Sequence, residues 1–351
     1  SYTELTDISL NASETSTQLV VNKTGNPLTV DADQVKSIEF SDQPVDACTK
    51  YADDKPAQVV FSCIEVNNVN PLQHLNFKLE KSNKYYFDAV ILFSSNINFS
   101  KKEDVVYIHN NENVQPILNN WKHYIKPLKD RGIKVLLSIL GNHDGSGLAN
   151  LDDERAQQFA KAIADTLDKY DLDGVFFDDE YSEYNKGLKG QGYKGFLDSP
   201  SYEAASRLAY ETKKAIGDKW LVLYKYGHYN MAVSVDGKKP GEYVDYVLTD
   251  YNQSAAGMTT QYPGVKNAQV GCYSVDINGY TNKSNVKKLR TGKYGAFMIY
   301  NLDQTAYDFS YSKVINLEDF GKYLFDDELK VEEALYYKDW TPIEDLREPN
   351  R

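Results

Sequence analysis

The chain has 351 residues and a formal charge of −12. That acidity excludes a nucleic-acid partner, because phosphate backbones attract basic surfaces. No run of about 20 apolar residues is present to cross a membrane. Its three cysteines, Cys48, Cys63 and Cys272, lie far apart and lack CxxC spacing, which excludes zinc-ribbon and thioredoxin-like motifs. Buried free thiols are the expected state, with a single disulfide as the alternative. Tyrosine is over-supplied, at 28 residues. Its flat apolar ring and polar tip suit ligands with apolar faces and polar rims; a tyrosine-rich surface is the structural alternative.

Residues 1–56 are polar and carry short alternating stretches, Gln18–Val21 and Lys36–Phe40, which predict a β-rich or extended segment. Tyr51–Pro56 reads as a linker. From residue 57 short apolar strands alternate with helical segments. Val59–Ile64 and Asp88–Phe93 are strand candidates. A helix is predicted around Val114–Arg131, ended by Gly132, and a strand over Lys134–Leu140. Asp152–Tyr170 places Phe159, Ala160, Ile163, Ala164 and Leu167 at helical spacing. The strand Gly174–Asp178, a helix over Ala204–Ile216 and the strand Trp220–Tyr226 come next. Further strands are predicted at Tyr243–Asp250, Ala268–Tyr273 and Ala296–Tyr300, with helices around Ser284–Thr291 and Leu317–Leu329.

Eight near-continuous apolar strands in βα alternation predict a parallel sheet closed as a (β/α)8 barrel over residues 57–340. The Gly-, Pro- and Ser-bearing stretches after strands five and six predict lost helices there. Residues 341–351 are a C-terminal tail. An open doubly wound sheet is the alternative, but no Gly-rich phosphate loop follows the first strand.

The chemistry is concentrated in Tyr170-Asp-Leu-Asp173-Gly-Val-Phe176-Phe-Asp178-Asp179-Glu180-Tyr181. Strand alternation puts Gly174, Phe176, Asp178 and Glu180 on one side. In a barrel that side is the interior, opening at the C-terminal rim where catalysis occurs. Two acids at a strand end are costly inside unless used. The Asp178 charge is expected to raise the proton affinity of Glu180, as a general acid requires. A solvated acidic strand end, or a hard-cation site at Asp178, Asp179 and Glu180, is the alternative.

The stretch LDGVFFDDE at Leu172–Glu180 resembles the DGxDxDxE signature of family-18 glycoside hydrolases. More narrowly, KVLLSILGNHDGSGLANL from Lys134 and LDGVFFDDEYSEY resemble the endo-β-N-acetylglucosaminidases of the endo-F and endo-H type. Further matching blocks are IEVNNVNPLQHLNFKL at Ile64–Leu79, DAVILFSSNIN at Asp88–Asn98, NVQPILNN at Asn113–Asn120 and the stretch from Tyr294. The resemblance spans residues 57–340 and excludes the N-terminal segment. Phe176 departs from the general signature, standing where many chitinases carry Asp.

The resemblance implies cleavage between the two N-acetylglucosamines of high-mannose and hybrid N-glycan cores, by a retaining, substrate-assisted oxazolinium route. Glu180 is then the general acid/base, Asp178 the carboxylate that orients the acetamide, and Tyr224 a donor to the acetamido oxygen. Substrate-binding candidates at strand ends are Glu65, Asn96, Asn142, His143, Asp144, Phe176, Tyr251, Asn252, Tyr300 and Asn301. Their structural alternatives are loop packing and core packing. No HxH or HExxH spacing surrounds His143, so no metal or other cofactor is expected. N-linked glycans on glycoproteins are the expected partners of a monomer. A secreted, cell-surface or periplasmic bacterial enzyme is expected, its leader absent from this chain. A non-catalytic glycan-binding barrel is a competing function, against which Glu180 is present. A chitinase-type hydrolase is the other, against which only Trp121, Trp220 and Trp340 are available to pave a groove.

Overall fold

The computed structural model describes residues 5–12, 17–23, 28–31, 58–67, 69–227, 230–277, 283–302, 317 and 321–331. The expected strand at Lys36–Phe40, the linker at Tyr51–Pro56, Cys48 and the tail at 341–351 lie outside the described residues. The chain divides into two compact units, Ser1–Asp46 and Ala47–Arg351. In the first, strands Leu5–Ala12, Thr17–Lys23 and Leu28–Asp31 form an antiparallel three-stranded sheet.

The second unit contains a closed barrel of eight parallel strands: β1 (Val59–Glu65), β2 (Ala89–Ser100), β3 (Lys134–Leu140), β4 (Gly174–Asp179), β5 (Trp220–Gly227), β6 (Tyr246–Thr249), β7 (Val270–Gly271) and β8 (Ala296–Tyr300). Each pairs with the next, and β8 closes on β1 through Ala296↔Val59 to Tyr300↔Cys63. Alternation divides every strand. Phe61, Cys63, Ala89, Ile91, Leu136, Phe176, Val222, Leu248, Ala296 and Met298 pack inside the barrel. The intervening residues, such as Val60, Val90, Val135, Val175, Leu221 and Val247, join the larger core beneath the helices. Phe61, stacked edge-on against Tyr246 at 5.3 Å and tilted against Trp220 at 5.8 Å, plugs the lower interior. The barrel is thus a filled core with one open end.

Three aspartates fasten the lower ends of the strands. Asp88, Asp173 and Asp245 each precede a strand and accept the N–H of a residue on the strand before it: Val60 at 2.8 Å, Val135 at 2.9 Å and Leu221 at 2.7 Å. Asp173, conspicuous in the acidic motif, is therefore a structural fastener. Its neighbour Gly174 is required by space. A Cβ there would lie 2.3 Å from the Trp220 carbonyl oxygen across the β4–β5 pair.

Helix α1 (Asp153–Lys169) starts where Asp152 accepts the Arg155 N–H at 3.0 Å, with Asp153 and Glu154 in its first turn and Lys169 in its last, as the helix dipole favours. Helix α2 (Tyr202–Ile216) is capped by Ser201, whose hydroxyl accepts the Ala204 N–H at 3.1 Å, and ends at Gly217 with φ of 62°. Helix α3 (Lys283–Thr291) precedes β8. The single helix expected over Val114–Arg131 is instead three pieces, Val114–Asn119, Trp121–Tyr124 and Lys126–Lys129. Asn120 leaves helical geometry and donates its side chain back to the Pro116 carbonyl at 2.9 Å, and Pro127 lacks an N–H to continue the ladder. Between β5 and β6, and between β6 and β7, the described residues hold only single turns: Pro240–Glu242, Met258–Gln261 and Asn267–Gln269. Where a helix was expected at Leu317–Leu329, the described residues show a wide turn at Gly321–Phe325 and a short strand, Leu329–Val331, paired with Phe77–Leu79. No helix among the described residues is long and apolar enough to cross a membrane.

Strand β2 runs on past the barrel rim. Asn96 pairs with Leu140, the last residue of β3, while Ile97–Ser100 continue upward and pair antiparallel with Val105–His109. The sequence reading ended this strand at Phe93. It missed the hairpin because the extension alternates apolar Ile97 and Phe99 with Asn98 and Ser100, unlike the continuous apolar run below.

The barrel closes through β1 and β8 without the first unit's three-stranded sheet. Removal of residues 1–55 is therefore expected to leave a barrel that unfolds cooperatively. Thermal denaturation followed by circular dichroism checks this; an insoluble or molten product would make the segment integral to the barrel.

Candidate active site

The open end of the barrel holds a cavity of about 580 Å³. Its floor is Cys63, Phe176, Asp178 and Met298, and its wall includes Glu65, Asn96, Asn111, Tyr224, Asp250, Tyr251 and Tyr300, with Glu180 and Tyr181 at the β4 end. The volume falls in the range of small-molecule sites. Cys63, Glu65, Phe176, Asp178, Tyr224, Met298 and Tyr300 have the parity of the barrel interior, whereas Asn96 comes in through the register shift after Leu92 of β2.

Strand β4 supplies the acids. Asp178 sits opposite Leu140 of β3 and is 2% exposed. Its carboxyl is held well above the usual carboxylate range, first by burial, then by the Glu180 charge, by a hydrogen bond with Glu180 and by Asp179. One carboxyl oxygen, Oδ1, is buried without a hydrogen-bond partner. Glu180 is half-buried and is also raised, first by burial and further by the Asp250 charge, while its hydrogen bond with Asp178 pulls the other way. Sequence alone leads one to expect the shift at Glu180 from repulsion by Asp178. The larger causes are burial and Asp250, and Asp178 is the residue on which like-charge repulsion acts more. Both groups favour the protonated form. Asp179 points the opposite way, outside the barrel, where the Tyr184 hydroxyl donates to it at 2.5 Å. The acidic triple is thereby split between two faces.

Tyrosines surround the pair. The Tyr224 hydroxyl donates to Asp250 Oδ1 at 2.6 Å, and the same oxygen accepts the Tyr251 N–H at 2.6 Å. The Tyr300 hydroxyl donates to Glu65 Oε1 at 2.5 Å. Burial and these carboxylates push the phenols of Tyr224 and Tyr300 far up, so both remain hydrogen-bond donors. Phe176 lies 5.8 Å from the Tyr224 ring, and Tyr251 6.0 Å from Tyr300. The result is a pocket of aromatic faces edged with hydroxyls and carboxyls, complementary to a sugar ring with apolar faces and a polar rim.

The structure gathers Glu180, Asp178, Tyr224, Phe176, Tyr251, Tyr300, Glu65 and Asn96 around this cavity. Asn142, His143, Asp144, Asn252 and Asn301 do not line it. Asn252 and Asn301, with φ of 54° and 64°, turn the chain away from the strands and bond through their N–H groups to Ser274 and Cys63 carbonyls. Asn142 donates to Asn98 at 3.0 Å, His143 faces Glu183 at 3.1 Å, and Asp144 caps Ser146 at 2.8 Å. Asp250, Asn111, Tyr181, Cys63 and Met298 were missed. Asp250, Cys63 and Met298 were signalled by interior parity with Leu248, Phe61 and Tyr300. Asn111 carried no local signal, since the hairpin delivers it. Cys63 and Cys272 are buried free thiols.

A family model, "Glycosyl hydrolases family 18", matches residues 49–259, well over half the chain. The chain belongs to that family. A relative, endo-beta-N-acetylglucosaminidase F1 of Elizabethkingia meningoseptica, is 44% identical over 80% of this chain and 82% of its own length. The endo-beta-N-acetylglucosaminidase of Flavobacterium sp. (strain SK1022) is 33% identical over 74% and 80%. Among solved structures, Bacteroides thetaiotamicron EndoBT-3987 with a Man9GlcNAc2Asn substrate is similar, with a TM-score of 0.73 and 26% identity over 95% of this chain and 83% of that one. The same enzyme with a Man5GlcNAc product gives 0.70 and 31% over 80% of this chain, which spans 64% of that one. The 95% coverage reaches beyond the 57–340 span of the resemblance seen in the sequence.

The raised carboxyl of Asp178 sets a sign for stability. The folded state binds its proton more tightly than the unfolded chain does, so the contribution is complete below the ordinary carboxylate range. It is lost as pH rises through the raised native value. Asp178→Asn removes that loss. The variant is expected to exceed the parent in stability at neutral pH, by on the order of 1–3 kcal/mol, with the advantage vanishing in acid. Urea unfolding at several pH values measures it.

Proposed function

We infer that the chain is an endo-β-N-acetylglucosaminidase that hydrolyses the GlcNAc-β1,4-GlcNAc bond in the core of N-linked glycans, preferring high-mannose and hybrid forms. The observation that carries this reading is the Asp178–Glu180 pair, two proton-retaining carboxyls at the floor of a tyrosine-lined cavity. A barrel relative with 44% identity bears the name of that activity. A non-catalytic glycan-binding barrel would have no use for an acid held at this position.

In the proposed reaction the reducing-side sugar leaves as Glu180 protonates the glycosidic oxygen. The acetamido oxygen of the sugar in the −1 subsite attacks its own anomeric carbon, and the C–O bond to the leaving sugar breaks. Asp178 accepts the acetamide N–H through its unpartnered oxygen, and the one negative charge that the proton transfer leaves on the hydrogen-bonded Asp178–Glu180 pair offsets the positive charge of the oxazolinium ion. Glu180, now ionised, takes a proton from water as that water opens the ring, and the anomeric configuration is retained. Tyr224 turns its hydroxyl from Asp250 to the acetamido oxygen. Tyr300, Tyr251 and Phe176 form the walls of the −1 subsite. The active unit is one chain, since a single barrel supplies every group, and glycoproteins outside the cytoplasm are its substrates.

Glu180→Gln is expected to lower kcat by at least 10²–10⁴-fold while glycan binding, read by calorimetry, stays near the parental value. Full turnover in this variant would remove Glu180 from its role. Asp178→Asn is expected to slow hydrolysis yet still transfer a preformed sugar oxazoline to an acceptor, because Asp178 serves ring closure rather than proton transfer. Parental hydrolysis, or failure with the oxazoline, would overturn that assignment.

A further inference from the structure

Two loops at the cavity mouth are locked together by one buried cation, and a third is joined to them by Asp144. Arg155, in the first turn of α1, is 6% exposed. Its guanidinium lies 4.8 Å from the Phe196 ring and 5.3 Å from the Phe99 ring, which themselves meet edge to face at 4.9 Å. Nη2 donates to the Lys194 carbonyl at 2.5 Å and to Asp104 Oδ1 at 3.0 Å, and Nη1 donates to the Asp104 carbonyl at 3.2 Å. Phe99 and Asp104 belong to the β2 hairpin, whereas Lys194 and Phe196 belong to the loop after β4. Gly195 has φ of 81°, and a Cβ on it would lie 2.2 Å from Arg155 Nε, so the loop backbone is wrapped onto the guanidinium.

The same two loops meet again at Lys101, which donates to Gln191 at 3.0 Å and lies 5.7 Å above the Tyr193 ring. The β3 loop joins them. Asp144 caps Ser146 with one oxygen and accepts from Phe99 N at 3.4 Å and Asn98 Nδ2 at 3.5 Å with the other. His143 faces Glu183, and Lys186 donates to the His143 carbonyl at 2.5 Å. The three loops therefore form one wall rather than three independent flaps. Its base lines the cavity through Asn96, Asn111 and Tyr181. Beyond the barrel rim it exposes Asn142 and His143 after β3 and, on the hairpin, Tyr107, the last 39% exposed.

Resting on the glycosidase reading above, we propose that Arg155 is a positioning residue: by fixing this wall it sets how tightly the mannose arms of the glycan beyond the −1 sugar are held. A hairpin of four residues above the rim stands about 13 Å high, beyond the reach of a sugar lying between Asp178 and Tyr224. Amides, an imidazole and an exposed tyrosine are the groups that hydrogen-bond and stack on neutral sugars. Asp144, taken from the sequence as a sugar ligand, instead secures the hairpin. Arg155 touches no cavity residue, so it acts only through the wall it fixes.

The test compares Man9GlcNAc2-asparagine with its mannose-trimmed Man3GlcNAc2-asparagine counterpart in steady-state kinetics of the full chain. For Arg155→Met, KM for the nine-mannose substrate is expected to rise about tenfold, with kcat within about threefold, and KM for the trimmed substrate to change less than about threefold. Arg155→Lys restores part of the loss, since an ammonium cannot bridge two carbonyls and stack between two rings. Asp104→Ala, at a residue 57% exposed, provides a folded variant should Arg155→Met collapse, and is expected to raise the nine-mannose KM about threefold. Equal effects on both substrates, or an unchanged nine-mannose KM in the folded variants, would overturn the proposal. Cleavage of the nine-mannose substrate by the parent tests the glycosidase reading separately, and its absence would refute that reading.

Discussion

The site depends on holding two carboxyl groups at one strand end where water cannot easily reach them. Burial penalises the charge on Asp178 and on Glu180, the Glu180 charge makes Asp178 harder still to ionise, and the Asp250 charge does the same to Glu180. Elsewhere in a fold such a pair would simply cost stability. Here the cost is borne by a barrel whose lower interior is plugged by Phe61, Trp220 and Tyr246 and whose strands are fastened by Asp88, Asp173 and Asp245. The rigid lower half places the acids, and the tyrosine ring above decides what can approach them. Phe176, where many chitinases carry Asp, keeps a further carboxylate out of the floor and leaves burial and Asp250 as the means of raising Glu180.

The tyrosines do double service. Their hydroxyls occupy Asp250 and Glu65, two carboxylates that would otherwise face the acid pair unscreened. Their rings line the walls against which a sugar can lie. A cavity that contained the same carboxylates without those donors would carry more charge repulsion and less apolar surface. The abundance of tyrosine, visible in composition alone, thus has its structural counterpart at the barrel mouth.

Interior positions were legible in the sequence because a strand's alternation is strict. Gly174, Phe176, Asp178 and Glu180 fall on one side by alternation, Tyr300 and Glu65 are marked by their places at strand ends and Tyr224 by the resemblance, and all three share the interior parity of Met298, Cys63 and Val222. The rim was less legible. Asn142, His143 and Asp144 sit at a strand end and carry polar groups, as ligands do, yet their partners lie in other loops, Asn98 on the β2 hairpin and Glu183 after β4. Such pairings are long in sequence and leave no local pattern. The broken helix at Val114–Lys129 was hidden for a different reason. Its apolar residues keep a helical rhythm, but the Asn120 side chain and Pro127 interrupt the backbone ladder that rhythm presupposes.

The central claim is that the acid pair cuts between the two core N-acetylglucosamines and nowhere else. Mass spectrometry of a high-mannose glycoprotein after digestion tests it most directly. Each treated glycosylation site is predicted to keep a single N-acetylglucosamine on its asparagine, with the released glycan carrying the other at its reducing end. Asparagine left bare or converted to aspartate, or a site retaining its whole glycan, would contradict the account.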